Sequence, residues 1–533
     1  MKIIGFHIDM NIAQFRRDYL EKHFRELREF GYNTLVWEVE NNIRWESCPD
    51  CVSPDAFSKQ EFREILDFAS GLGFDNIPLL QTLGHAEYVL KHERYVAMRE
   101  QPDNITLYCP LYPGLEEWFR RWIGEYLELF GNIHYFHLGL DEAYLLGSCP
   151  KCRQYVAEHG LGALYFQHVT RILKLIPPHI RPMMWADMIL RNPECVNDLD
   201  RRVLLLDWNY DGYEGRPDVY LWERDRWLTP DRFSESERRR YGCCLTPRGM
   251  EPGRTPNPFF TADYLVKQGF EVVHCPASAC GADNIFAPRH ILHLRNTFSQ
   301  FLAGNKHEGT ILTSWTVRIH PWELQELSIQ VPRFLKNHPQ GSWEQYEDAF
   351  SQEYFGLKTP LFSRACSLLS EEVPFAQNES LGYDKNACPV LPGQIRYKMQ
   401  EYRYYSQIPT LTARAERRAK ECGEAVKLFD RLVGKVQKHR EVMVLYREAA
   451  KQLELRARTA LFLLQHFDEI IAGRALPTLR RNTAARLLKE NQAAKARFIA
   501  QYRQGWKENR TQECAAWVYD SILEILITLS RQC

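Results

Sequence analysis

The chain has 533 residues, 45% hydrophobic and 26% charged, with Lys+Arg and Asp+Glu both at 68. That length and apolar content fit more than one domain with a substantial core, and the zero formal net charge leaves no basic excess to attract nucleic acid or an anionic membrane. No segment approaches the roughly 18 consecutive apolar residues of a membrane span, and the start MKIIGFHIDM lacks the leader pattern of a signal peptide, so a soluble, cytoplasmic protein is expected.

Short apolar runs alternate with amphipathic stretches through the first part of the chain. The predicted strands are Lys2–Asp9, Asn33–Glu40, Asn76–Thr82, Ile133–Asp141, Arg181–Asp187, Val203–Trp208, Glu271–Pro276 and Thr310–Trp315. A helix is predicted from Phe15 to Phe30, with Tyr19, Leu20, Phe24 and Leu27 at near-helical spacing and Gly31 as its stop. Strands apolar on both faces, separated by helices, argue for a parallel sheet covered by helices. Eight such units fit an α/β fold of the (β/α)8 TIM-barrel type over residues 1–340, with a long insertion around 209–261.

After Pro339-Gln340-Gly341 the composition shifts to Arg, Lys, Glu, Ala and Leu. Residues 341–533 are expected to form an all-α C-terminal domain. One helical stretch runs from Ala425 to Phe467, with Val426, Phe429, Val433 and Val436 on a shared face, and another from Ala515 to Leu529. The segment from Phe375 to Ile395, with its prolines and Asn/Gly, reads as a loop.

In barrels of this kind the active site forms at the C-terminal ends of the strands. Here those ends carry Asp9, Glu38 and Glu40, the run Gln81 to His85, Asp141 and Glu142, Trp185 and Asp187, Trp208, and Trp315. The centre is Ile133-His134-Tyr135-Phe136-His137-Leu138-Gly139-Leu140-Asp141-Glu142, an apolar strand ending in two adjacent carboxylates. Glycoside hydrolysis needs an acid to protonate the leaving oxygen and a second group to stabilise the anomeric centre. Mutual repulsion between neighbouring carboxylates favours protonation of one of them.

His137-Leu138-Gly139-Leu140-Asp141-Glu142 resembles the His-x-Gly-x-Asp-Glu signature of glycoside hydrolase family 20. The run from Gln81 to His92, Leu294-Arg295-Asn296, and Ile311-Leu312-Thr313-Ser314-Trp315 resemble the hexosaminidase D branch of that family. The resemblance covers about residues 1–335, in order, and does not extend to 342–533. It implies removal of terminal β-linked N-acetylhexosamines, with Glu142 as general acid/base and Asp141 polarising the substrate's acetamido group. The acetamido oxygen would then attack the anomeric carbon and form an oxazoline, the substrate-assisted variant of glycoside hydrolysis. A tethered nucleophile leaves little entropy to lose.

The same resemblance places His85 in the pocket and makes its walls tryptophan, with Trp315, Trp208 and Trp185 as candidates. Aromatic walls suit the apolar C–H faces of a sugar. In the better-known members of the family a tyrosine after strand seven donates to the acetamido carbonyl; the segment from Cys275 to Cys280 contains none, so Tyr210, after strand six, is the candidate replacement. Strand one carries no arginine to grip the sugar, so Asp9, Glu38, Glu40 and Asp187 are candidate acceptors for its outer hydroxyls. A barrel β-glycosidase of other specificity and a catalytically silent carbohydrate-binding protein are the alternatives.

Ser47-Cys48-Pro49-Asp50-Cys51 and Ser148-Cys149-Pro150-Lys151-Cys152 are near copies, following strands two and four. Two C-x2-C pairs can complete a four-thiolate zinc site, so Cys48, Cys51, Cys149 and Cys152 are expected to hold a structural zinc. Four reduced thiols or a disulfide are the alternatives. Catalysis is expected to need no cofactor. The expected partner is a small-molecule or oligosaccharide substrate, with the helical region available as a homodimer interface.

Overall fold

A computed structural model of the chain describes residues 2–245, 255–315, 319–376, 399 and 406–531. Eight strands form the barrel: β1 (Ile3–Asp9), β2 (Thr34–Glu38), β3 (Asp75–Leu79), β4 (Tyr135–His137), β5 (Arg181–Trp185), β6 (Leu204–Trp208), β7 (Glu271–Cys275) and β8 (Gly309–Ser314). Each pairs in parallel with its successor, and β8 returns to β1, with Ile3 opposite Gly309 and Ile8 opposite Ser314. All eight overlap the predicted segments, with β3 and β8 each beginning one residue earlier than predicted.

Side-chain alternation explains the barrel's two surfaces. Phe6 turns outward onto Tyr32, which meets Phe301 of the helix His290–Gly304. Gly5 turns inward; a Cβ there would stand 2.6 Å from Ile311 Cγ1. His7 and Asp9, on the same side as Gly5, carry polarity into the end of the barrel where the strands finish. The helix after β1 runs from Arg17 to Phe30, and Gly31 closes it at φ +101°. There glycine avoids the steric cost that a side chain would meet. Ser58 and Glu61 cap the next helix, Lys59–Gly71, reciprocally.

The insertion after β6 has structure of its own. Val219–Leu221 pairs antiparallel with Arg226–Leu228, and a helix spans Glu235–Leu245. Asn296 anchors its start, donating to the carbonyls of Asn209 (2.7 Å) and Gly212 (2.6 Å).

Two compact units are present: residues 1–11, 21–277 and 295–314, and residues 12–20, 278–294 and 315–533. The second therefore includes short segments from the barrel half of the sequence. Within it, Arg16 N–H donates to the Gly505 carbonyl (2.8 Å), and Lys507 N–H to that of Gln14 (2.7 Å). Its long helices are Ile408–Val433, Arg440–Gln465, Thr478–Tyr502 and Glu508–Arg531. The strongly helical stretch from Ala425 to Phe467 is shared by two helices, as packed helices there would require, with the break between Val433 and Arg440, where His439 adopts φ +49°. The buried face of the first part is Ala425, Leu428, Phe429, Leu432 and Val433, which includes the predicted Phe429 and Val433; Val426 is half-buried and Val436 lies beyond the helix. Of the predicted loop from Phe375 to Ile395, all but Phe375 and Ala376 lies outside the described residues. Among the described residues, no helix is long and apolar enough to cross a membrane.

Candidate active site

The end of β4 departs from a simple strand. Regular pairing stops at His137, although the apolar run continues to Leu140. Gly139, Leu140 and Glu142 take φ values of +65°, +74° and +47°. Positive φ is unfavourable for side chains other than glycine, and such residues concentrate at functional sites. His137 supports the turn: its Nδ1 accepts the Gly139 N–H at 2.9 Å. Burial pushes the His137 imidazolium down to about 3, so the ring is neutral and able to accept.

Two glycines bring the β3 and β4 loops together. A Cβ on Gly139 would lie 1.9 Å from Gln81 Oε1, and one on Gly84 would lie 2.3 Å from the Asp141 carbonyl oxygen. The close approach puts His85, at φ +50°, against both carboxylates. His85 Nε2 stands 3.2 Å from Asp141 Oδ2 and 3.3 Å from Glu142 Oε2. Asp141 is 5% exposed, and its Oδ1 is buried with no partner among the described residues. One oxygen of Asp141 is thus held by histidine while the other remains available. Glu142 is more open, and its Oε1 accepts the Tyr144 hydroxyl at 2.8 Å.

Asp187, just after β5, is buried beneath this pair. Its Oδ2 accepts the Glu142 backbone N–H at 3.0 Å. Burial, reinforced by the neighbouring Asp141 charge, pushes its carboxyl up to about 8. At neutral pH Asp187 is therefore mainly protonated, which limits the negative charge beneath the two site carboxylates.

The candidate hydroxyl acceptors divide by their surroundings. Glu38 has both oxygens engaged, by His7 Nε2 (3.0 Å) and Gln81 Nε2 (2.9 Å). That bonding makes it a brace between β1, β2 and the β3 loop. Asp9 Oδ1 accepts the Asn11 N–H at 2.8 Å, and Asn11 Nδ2 donates to Glu40, tying the ends of β1 and β2.

Aromatic side chains gather at the ends of β5 and β6. Trp185 is buried, 4.6 Å from the His137 ring by centroids. Trp208 is half-buried and stacks on Tyr210 at 5.0 Å. Trp222, from the inserted hairpin, meets Trp208 edge-on at 4.4 Å. Arg191 links this group to Glu142: its guanidinium lies 4.7 Å from the Tyr144 ring and 5.5 Å from that of Trp222, and it pairs with Asp225 at 3.0 Å. Tyr144, Arg191 and Trp222 escape sequence reasoning; for Tyr144, its place two residues after Glu142 was the available signal. Trp315 directly follows β8, is half-buried, and falls in the second compact unit.

The four-thiolate grouping is corrected. Cys149 and Cys152 gather with Cys109 and Glu100. Cys48 and Cys51 form a separate pair, with Cys51 Sγ 3.0 Å from the Cys48 carbonyl and Cys48 Sγ 3.5 Å from the Tyr95 hydroxyl. The hairpin after the His85 loop, Arg99–Gln101 with Asn104–Tyr108, carries Glu100 and delivers Cys109 to the second pair.

Fold and site together define a (β/α)8 barrel with a histidine-bridged Asp-Glu pair at the C-terminal ends of its strands. The chain resembles hexosaminidase D: it is 31% identical to the Homo sapiens protein over 197 residues (35% of this chain, 40% of the relative). It is 30% identical to the Bos taurus protein over 194 residues (35% and 56%). The matches therefore span roughly half the length of those relatives or less. No protein-family profile matches the chain. Similar solved structures include the family 20 exo-β-N-acetylglucosaminidase of Vibrio harveyi (14% identity, TM-score 0.45, 70% of this chain and 59% of that one). Another is the chitobiase of Flavobacterium johnsoniae (14% identity, TM-score 0.47, 98% and 78%).

Proposed function

We propose that this chain is an exo-acting β-N-acetylhexosaminidase, a glycoside hydrolase that removes terminal non-reducing β-linked N-acetylglucosamine or N-acetylgalactosamine with retention. The observation that carries the reading is the Asp141-His85-Glu142 arrangement, in which a buried Asp141 oxygen is left for a ligand donor. The resemblance to hexosaminidase D supports the same reaction class.

Glu142, protonated, gives its proton to the glycosidic oxygen as the bond to the anomeric carbon breaks. The acetamido oxygen of the substrate closes on that carbon and forms the oxazoline. Asp141 Oδ1 accepts the acetamido N–H and offsets the positive charge that develops there. Glu142, now ionised, takes a proton from water, which opens the oxazoline and restores the β-anomer. Trp208 and Tyr210 serve as a sugar wall, with Tyr210 as donor to the acetamido carbonyl. The 13 described cysteines, all free thiols, fit a cytoplasmic setting.

Proton NMR of the first product formed from an aryl N-acetyl-β-glucosaminide tests the stereochemistry. The β-anomer should appear first and mutarotate later; initial release of the α-anomer would exclude the oxazoline route.

A further inference from the structure

The geometry points to a structural zinc site formed by Cys109, Cys149, Cys152 and Glu100. Cys109 Sγ lies 3.7 Å from Cys149 Sγ and 3.7 Å from Cys152 Sγ. Disulfide sulfurs stand about 2.0 Å apart. Thiolates on a tetrahedral zinc, each about 2.3 Å from the ion, stand about 3.8 Å from one another. Cys152 Sγ is 3.3 Å from Glu100 Oε2, near the roughly 3.5 Å edge between a thiolate and a carboxylate oxygen on the same ion. One ligand atom from each of the four residues lies within 4.8 Å of all the others.

The surroundings prepare these donors. Glu100 Oε1 accepts the N–H groups of Ser148 (2.8 Å) and Cys149 (3.1 Å), which fixes the carboxylate with Oε2 toward the thiols. Cys149 caps the helix Pro150–His159, and its sulfur accepts the Cys152 N–H at 3.3 Å. Among the described residues, the other buried cluster with a thiol, Cys280, Asp283 and His293, is already engaged by a cation: Arg289 donates to Asp283 (2.9 Å) and Cys280 (3.2 Å).

Four protein ligands leave no position for substrate or water, so this zinc is structural. It clamps two segments that meet at the active site. The Ala86 N–H donates to the Thr106 carbonyl, and the Tyr108 N–H to that of Leu83, both at 3.1 Å. The hairpin ending at Cys109 therefore brackets His85. Cys149 and Cys152 belong to the segment that leaves Glu142. The ion fixes one against the other, and its presence does not depend on the reaction proposed above.

The test is zinc content of the full chain, purified without chelator, equilibrated with zinc and desalted. About one ion per chain is expected in the parent protein. Cys109→Ala and Cys149→Ala should each lower that content at least ten-fold, and Cys48→Ala should leave it unchanged. A parent protein without zinc, or loss of zinc in Cys48→Ala with retention in Cys109→Ala, overturns the assignment. The cobalt-substituted parent protein makes the test independent of variant folding: tetrahedral visible bands with thiolate-to-cobalt charge transfer are expected, and a spectrum lacking them contradicts the site.

Discussion

The Glu142 peptide N–H donates to Asp187 Oδ2 across 3.0 Å, so the backbone that aims the proposed acid is held by a second, buried carboxyl group. Burial raises Asp187 from 3.8 to about 8. Between those values the folded chain holds a proton that the unfolded chain has released, so stability falls as pH rises. The contribution is complete below 3.8 and is lost through about 8. Asn at this position keeps an acceptor and cannot ionise. The stability of the parent protein relative to Asp187→Asn should therefore decline steadily across that window in urea unfolding. Parallel curves would mean that Asp187 is ionised in the folded state.

The proposed mechanism has Asp141 act on the substrate's acetamido group. Asp141→Asn should lower kcat on N-acetyl substrates by about 10²–10³-fold, the scale on which a charge-stabilising group acts. Adding free acetate should not restore the rate, because the group acts from a fixed position. A variant within a few-fold of the parent would remove Asp141 from the mechanism.

Gly139 has φ +65° and no room for a Cβ beside Gln81. Gly139→Ala should cost roughly 1–3 kcal/mol of stability through overpacking and lower kcat/KM by more than the loss of folded protein accounts for. A thermal melt and a rate on the same sample separate the two effects. Unchanged values for both would show that the β3 and β4 loops do not depend on their close approach.

Trp208 presents a half-buried ring between Tyr210 and Trp222. With an aromatic contact beyond simple burial amounting to about 0.5–1.5 kcal/mol, Trp208→Leu should raise KM several-fold with a smaller change in kcat. An unaltered KM would place the sugar elsewhere.

The barrel was legible because its strands are apolar on both faces and separated by helical periodicity. The two carboxylates and His85 lie at strand ends, but strand position alone is a weak signal, and the resemblance to glycoside hydrolase family 20 is what singles them out. The conformation that presents them was not legible: Leu138 and Leu140 continue an apolar run, and nothing in their side chains signals the reversal of φ at Leu140 and Glu142. Trp222 joins Trp208 only because the insertion folds back as a hairpin, a tertiary event without local pattern. The cysteines mislead for the same reason. Repeated C-x2-C spacing draws attention to Cys48 and Cys51, whereas Cys109 stands alone in sequence and reaches Cys149 and Cys152 through the hairpin ahead of it.

The central measurement is the initial rate on aryl N-acetyl-β-glucosaminide, N-acetyl-β-galactosaminide and β-glucoside, with Glu142→Gln in parallel. Hydrolysis of an N-acetyl substrate, negligible turnover of the glucoside, and a loss of about 10²–10⁴-fold in the variant are expected for a general acid acting on an acetamido-assisted reaction. Cleavage of the glucoside at a comparable rate would contradict acetamido participation, and a variant as active as the parent would contradict the role of Glu142.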